Sequence, residues 1–415
     1  NQDRILGWCT DVLKGDPTHT RSFKALGFIG GVITAHPANV EHILKTNFAN
    51  YPDGEQWLWQ RKAASYEFSK RSLRNFVVDA VRFEIVERLL PLLYRARQDG
   101  RTLDVNEVLE RFAFDNICRV AFGEDAACLA EVAAPRSAEF MRAVNDAQNV
   151  NSLWRLKRIL NTEPEKRMRE ALGTIHGYAD RIVRQRRERG EAGLSIRDDH
   201  FLSRFAASDE HSDESLRDVV TNFILAGRDT TSSALTWFFW LVSTRPDVEG
   251  RIVREIRAVR ALPSHGNMGA SPTFSFDELR DMQYLHAAIT ESMRLYPPVA
   301  MDSHSCKEDD VLPDGTLVGK GWLATYSAYA MARMEDIWGK DCEEFRPERW
   351  LNERRVPARE HVKYPVFHAG PRMCLGKEMV YIQMKSIVAC VLERFSFRFV
   401  AARSGRALCS RSRCG

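Results

Sequence analysis

The sequence predicts a mainly α fold with small β-sheets. From Trp57 to about Gln185, apolar residues recur at three- and four-residue intervals, as in "VRFEIVERLLPLLYRAR", the period of an amphipathic helix. Further helical stretches run from Ser212 to Val242 and through "KEMVYIQMKSIVACVLERF", after Cys374. Strand signals are short and scattered. With 415 residues, 44% of them hydrophobic, the chain can bury a large core, as one large domain or as two or three ordinary ones.

Taken in order, Gly31 to Thr34 ("GVIT") reads as a strand, and "HPANVEHILK" opens a helix whose first turn suits Pro37. Residues 186–211 are charged and Arg/Asp-rich, a surface connection. Ser212 is the expected N-cap of the next helix, with Asp213 and Glu214 in its first turn. Residues 262–274 read as a loop. "SFDELRDMQYLHAAITESMRLYPP" holds two helical stretches, the second stopped by Pro297 and Pro298. Asp314-Gly315 marks a hairpin within residues 308–325. There is no internal repeat and no low-complexity linker.

Composition excludes several classes. Sixty basic against 56 acidic side chains leave a net charge of +4, which does not announce nucleic acid. The nine cysteines are odd in number, irregularly spaced and without a CxxC pair, so neither a zinc ribbon nor a thioredoxin motif is supported. Most suit small buried apolar positions in a reducing compartment. No signal peptide opens the chain, and "NQDRILGWCTDVLKGDPTHT" is too polar to cross a bilayer. Thr221 to Val242 is long enough to span one, yet Arg228 and Asp229 near its centre would each cost ~2.5–3.5 kcal/mol there. A buried helix with a polar middle in a soluble chain is expected.

That polar middle is "AGRDTT", Ala226 to Thr231. A glycine and hydroxyls inside an apolar helix are a poor choice for packing and make sense where a groove holds water or a ligand. "FHAGPRMCLG" sets Cys374 between Gly370 and Gly376, with Pro371 and Arg372 ahead of it and a helix after it. A thiolate at a helix N-terminus is stabilised by the dipole and by unpaired N–H groups. Glycines let a flat ligand approach the backbone. The pattern fits an anionic sulfur presented to a metal. "ESMR" places Glu291 and Arg294 on one helix face, a pair that surface helices also make often.

Phe367, Gly370, Arg372, Cys374 and Gly376 match F-x-x-G-x-R-x-C-x-G. The loop resembles the haem-binding loop of the cytochrome P-450 haem-thiolate monooxygenases. The resemblance implies one large helical domain of that type around a buried haem b, over residues 1–415. It makes Cys374 the iron ligand, whose thiolate favours O–O cleavage. "AGRDTT" resembles A-G-x-[DE]-T-T, which implies a groove and a proton relay to dioxygen through Asp229 and Thr230. "ESMR" and "FRPERW" resemble the family's core motifs, implying a structural Glu291–Arg294–Arg349 network. "WLWQR" matches W-x-x-x-R, so Trp57 and Arg61 would hold a haem propionate, with Arg372 and His304 as further candidates. Lys62, Arg71 and Arg74 would lie on the face that docks a reductase, or form a plain solvated face.

"FAFDNICRVAFGED", "LAGRDTTSSALTWFFWLV", "WGKDCEEFRPERWL" and "YPVFHAGPRMCLGKEM" resemble the plant fatty-acid ω-hydroxylase branch. Its members hydroxylate terminal methyls of fatty acids or of jasmonoyl-isoleucine. The implied partners are an NADPH-cytochrome reductase and a lipophilic substrate, with no nucleic acid. The implied location is the cytosolic face of the endoplasmic reticulum membrane, although the family's N-terminal anchor has no counterpart here. Two departures stand out. "NFANYP" passes directly into "DGEQWLWQRK", without the family's substrate-capping segment. Residues 399–415, Arg/Ser-rich, read as a disordered or aberrant tail in place of a substrate-touching hairpin. Two alternatives follow: a haem-thiolate isomerase or dehydratase, against which Asp229 and Thr230 argue, and a truncated haem-binding protein without turnover.

Overall fold

The computed structural model describes residues 4–24, 30–52, 54–68, 71–130, 135–148, 163–191, 212–262, 271–351, 362–401 and 407–409. Helices dominate, as the 3.6-residue period requires. The strands are β1 (Thr20–Phe23), β2 (Gly31–Thr34), β3 (Leu103–Asp104), β4 (Asp302–Ser305), β5 (Asp310–Val311), β6 (Leu317–Val318), β7 (Leu323–Tyr326), β8 (Phe399–Ala401) and β9 (Ala407–Cys409). Where the sequence suggested one domain over 1–415, the contacts gather into two compact units, one of residues 1–70 and 233–397, the other of residues 71–232 and 398–415.

In the first unit, β1, β2, β7 and β4 form a sheet in that order, with β2 and β7 parallel and the other pairs antiparallel. Val32, Ala324 and Tyr326 of this sheet join Leu13, Ile43, Leu44 and Met331 in one buried cluster. The expected hairpin is β5–β6, turning through Gly315 at φ +87°. Ser275 caps the Phe276–Asp281 helix with a full capping box, its hydroxyl accepting from the Glu278 N–H. The Gln283–Leu295 helix stops just before the two prolines, and the Lys377–Arg394 helix follows Cys374. Most of the latter's residues are buried, so it forms the middle of this unit.

The second unit is built on the helices Arg71–Glu84, Leu90–Gln98, Val105–Phe122, Pro135–Gln148 and Glu163–Glu191. Asp104 caps the Val105–Phe122 helix by accepting from the Asn106 and Glu107 N–H groups. Rings of Phe114, Phe140 and Tyr178 meet at 4.6–5.9 Å between three of these helices. The last helix runs to Glu191, past the boundary expected at Gln185, because its polar C-terminal turns continue a strong helix-forming composition. Residues 192–211 and 263–270 of the expected connections lie outside the described residues. The tail departs from expectation too: β8 and β9 pair with each other, and β9 with β3, so backbone pairing orders residues that lack an alternating pattern. Residues 402–406 and 410–415 lie outside the described residues.

A charge network, buried at Glu84 and Asp115 and open to solvent at Asp125, ties the second unit together. Arg88 reaches Glu84 at 2.9 Å and Asp125 at 2.7 Å, and Arg119 reaches the same two carboxylates at 3.1 Å each. Asp115, fully buried, lies 3.5 Å from Arg88 and accepts backbone N–H bonds from Cys128 and Leu129. Burial pushes the Asp115 carboxyl from its ordinary 3.8 up to about 7, against the pull of those N–H groups and Arg88. Between those values the folded chain holds a proton that the unfolded chain releases, so this group's contribution to stability falls as pH rises. Asp115→Asn removes that titration, at the cost of one of the two N–H acceptors. Relative to the parent, the variant is expected to gain up to ~4 kcal/mol between pH 4 and pH 8, read as a pH-dependent gap between melting temperatures. A pH-independent gap would overturn the assignment.

Candidate functional site

Cys374 sits where a short turn gives way to a helix. Pro365–Phe367 and Gly370–Arg372 each make one 3₁₀ turn, and the Cys374 N–H donates back to the Phe367 carbonyl at 2.8 Å. This bond closes the loop. The Gly376 and Lys377 N–H groups, at the start of the Lys377–Arg394 helix, are directed at the sulfur. Burial pushes the thiol above its ordinary value, while these N–H groups and the charges of Arg61 and Lys377 pull it down. A desolvated sulfur with fixed donors and two cations is arranged to carry negative charge once a metal displaces its proton. Cys9, Cys118, Cys128, Cys306, Cys342 and Cys390 are buried and, like Cys374, free of disulfides.

The two flanking glycines do different work. Gly370 has φ +58°, and a Cβ there would stand 2.9 Å from the Leu44 carbonyl oxygen, so both conformation and close packing demand glycine. A Cβ on Gly376 would meet only the Cys374 sulfur, at 3.8 Å, so this glycine keeps the space beside the sulfur open. The buried Phe367 anchors the loop from the other side, its ring 5.6 Å from that of Tyr381 and the Lys377 ammonium 5.6 Å from its centroid.

Trp57 and Arg61 come together with Arg372, more than 300 residues later in sequence. The guanidinium of Arg61 lies 5.4 Å from the Trp57 ring and that of Arg372 lies 5.8 Å from it. Arg61 also donates to the Met373 carbonyl at 2.5 Å, which ties the Glu55–Phe68 helix to the cysteine loop. Arg372 is buried against the Phe48 ring at 4.5 Å and donates to the Tyr51 carbonyl. His304 is buried as well, with its Nε2 3.2 Å from the Asp302 carboxylate and its ring stacked 6.4 Å from Tyr326. Lys62 is exposed, whereas the Arg71 and Arg74 side chains lie outside the described residues.

Glu291 and Arg294, which could have made an ordinary surface pair, are buried. Arg294 meets Glu291 through two bonds, at 2.8 and 2.9 Å, and spends its remaining donors on the carbonyls of Ala332, Cys342 and Glu344. Arg349 adds a bond to Glu291 at 3.3 Å and an ion pair to Asp341 at 3.2 Å. Sequence reasoning missed Trp350, whose indole N–H donates to Glu291 at 2.8 Å, and Asp341; Trp350 stood in plain view in "FRPERW". It also missed the link from this network to the cysteine loop. Thr290 shares a hydroxyl contact of 2.9 Å with Tyr381, Tyr364 donates to the Thr290 carbonyl at 3.3 Å, and both tyrosines face Phe367.

In the second unit, "AGRDTT" lies on the Asp213–Ser243 helix, whose N-cap is Ser212 as expected, accepting from the Ser215 N–H at 3.2 Å. The helix passes through the motif without a break. Gly227 does not open space there: a Cβ would stand 2.8 Å from the Ile117 side chain, so this glycine serves close approach of the Val105–Phe122 helix. Thr230 donates to the Ala226 carbonyl one turn back at 2.6 Å. The Asp229 carboxylate is 2.7 Å from Arg228, and Arg228 in turn contacts Glu110 at 2.8 Å and Asn145 at 2.7 Å. No motif signalled Glu110 or Asn145.

The Cytochrome P450 family model matches residues 31–406 of the chain. Cytochrome P450 CYP94D108 of Paris polyphylla is 45% identical to it over 95% of this chain and 83% of the relative. Cytochrome P450 94B1 of Arabidopsis thaliana is 43% identical over 95% of this chain and 82% of the relative. Cytochrome P450 94A1 of Vicia sativa is 40% identical over 95% and 81%. A cysteine loop of this build and a match across nine-tenths of the length carry one conclusion: the chain belongs to the cytochrome P450 family, as a haem-dependent monooxygenase of the plant branch that bears the 94 names.

Proposed function

We propose that the chain hydroxylates the terminal methyl of a fatty acid or fatty-acid-derived conjugate, R–CH3 + O2 + NADPH + H+ → R–CH2OH + NADP+ + H2O. Electrons pass from NADPH through a cytochrome reductase, at the cytosolic face of the endoplasmic reticulum. Among the described residues no helix is long and apolar enough to cross a membrane. The observation that carries the reading is the sulfur of Cys374, desolvated, on a loop closed by the Cys374 N–H donating to the Phe367 carbonyl, and met by two N–H groups and two cations.

The residues present fit haem b. Cys374 would ligate the iron, Gly376 keeps the space beside the sulfur open, and Trp57, Arg61 and Arg372 would hold its propionates. Arg61 and Arg372 carry the planar fork that suits a carboxylate. His304, paired with Asp302, is the weaker candidate for the same task. When bound, haem supplies dioxygen activation at the expense of two electrons. Asp229 and Thr230 then handle protons: the Thr230 hydroxyl turns from the Ala226 carbonyl to present its hydrogen, and Asp229 resupplies it from solvent. Glu291, Arg294 and Arg349 hold the frame and touch no substrate.

The test is reconstitution with a reductase and NADPH on laurate and on jasmonoyl-isoleucine, with product position read by mass spectrometry. Terminal alcohol supports the reading. NADPH-independent turnover, or an intact haem centre with no oxygenated product, overturns it. Thr230→Ala is expected to keep the haem spectrum while product per NADPH falls about tenfold and peroxide rises to match. Unchanged coupling would remove Thr230 from the relay.

A further inference from the structure

Arg228 is fully buried, and nothing in the reaction above uses it. A guanidinium is costly to take out of water unless its partners are well placed. Here the partners come from three helices. Nη1 lies 2.7 Å from Asp229 Oδ1 on its own helix, and Nη2 donates to Glu110 Oε2 at 2.8 Å and Asn145 Oδ1 at 2.7 Å. Glu110 belongs to the Val105–Phe122 helix and Asn145 to the Pro135–Gln148 helix.

The contact with Asp229 is the unusual one. Residues i and i+1 of a helix diverge by about 100° and do not face each other. An ion pair between them needs the arginine to be held to that side, and its bonds to Glu110 and Asn145 hold it. Glu110 is half-buried and Asp229 about a third exposed, so Arg228 is the dry end of a chain whose Asp229 end reaches solvent.

We propose that Arg228 is the positioning residue for Asp229: anchored by Glu110 and Asn145, it clamps the Asp229 carboxylate in one rotamer, from which the acid delivers protons. The proposal rests on the relay reading above. Glu110 and Asn145 act through Arg228 and touch nothing that reacts. An arginine spans both carboxylates, its Nη2 donating to Glu110 while its Nη1 pairs by charge with Asp229.

The test compares three variants: Asp229→Asn, the paired Arg228→Met/Glu110→Met, which removes the buried charges together, and Arg228→Lys. Two readouts are taken: product per NADPH in the reconstituted enzyme, and the Asp229 side-chain position in crystals of each variant. The paired variant is expected to keep its thiolate–haem spectrum, to show Asp229 displaced or in several rotamers, and to lose coupling by about the same factor as Asp229→Asn. Arg228→Lys is expected to fall between it and the parent, and it alone decides should the paired variant not fold. If Asp229→Asn uncouples while the Arg228 variants leave both Asp229 and coupling unchanged, the clamp is overturned. If Asp229→Asn itself stays coupled, the relay reading fails and takes the clamp with it, even where Asp229 moves in the crystal.

Discussion

Cys374→Ala is expected to abolish the strongly red-shifted Soret band of the reduced, carbon monoxide-treated protein and all NADPH-dependent product, while the chain still folds. The expectation follows from how the sulfur is held. Its N–H bond to Phe367 is a backbone contact that alanine keeps, and the Gly376 and Lys377 N–H groups belong to a helix end that forms regardless. What alanine removes is the atom that carries charge. Cys374→Ser separates charge from shape: a hydroxyl of nearly the same reach accepts the same N–H bonds but is a far weaker donor to iron, so a band of the ordinary, non-thiolate type is expected. A red-shifted band in either variant would move the ligand elsewhere.

Arg294→Ala is expected to be the most destabilising single change. It leaves the Glu291 carboxylate buried with its main counter-charge gone and strips a donor from the carbonyls of Ala332, Cys342 and Glu344. Breaking a buried pair in this way costs about 3–5 kcal/mol, a large share of a typical folding free energy. Trp350 and Arg349 still reach Glu291, which limits the loss but cannot replace a two-bond contact. Arg294→Lys keeps the charge and loses the fork, so an intermediate loss is expected. Thermal unfolding and the yield of haem-loaded protein measure both. Since Thr290, Tyr381 and Phe367 connect this network to the cysteine loop, haem loading should fall before secondary structure does. A melting temperature within about 2 °C of the parent would show the network to be dispensable.

Much of the local structure was legible. Ser212 as a cap, the helix stop before Pro297, the hairpin at Asp314-Gly315 and the strand at Gly31–Thr34 are set by bonds and dihedrals within a few residues. The strands at 399–401 and 407–409 were not legible because β9 owes its pairing partly to β3, about 300 residues away, and not to its own side-chain pattern. Gly227 was misjudged for a similar reason: its neighbour Ile117 lies on another helix, and a one-residue view cannot tell a glycine that opens a groove from one that lets a helix close in.

By itself, the sequence determined which residues are proposed to carry the chemistry. Cys374 with its glycines and Arg372, and Asp229 with Thr230, sit in short contiguous runs whose spacing alone sets what a loop or a helix turn can present. Tertiary structure alone decided how those residues are held. Glu291 is buried among Arg294, Arg349 and Trp350, and Asp229 is paired with an arginine anchored 118 residues away at Glu110. The reason is physical: a helix fixes neighbours at three and four positions, whereas the partners of a buried charge must come from wherever the fold brings an opposite charge or a carbonyl within reach, and no local pattern records that distance.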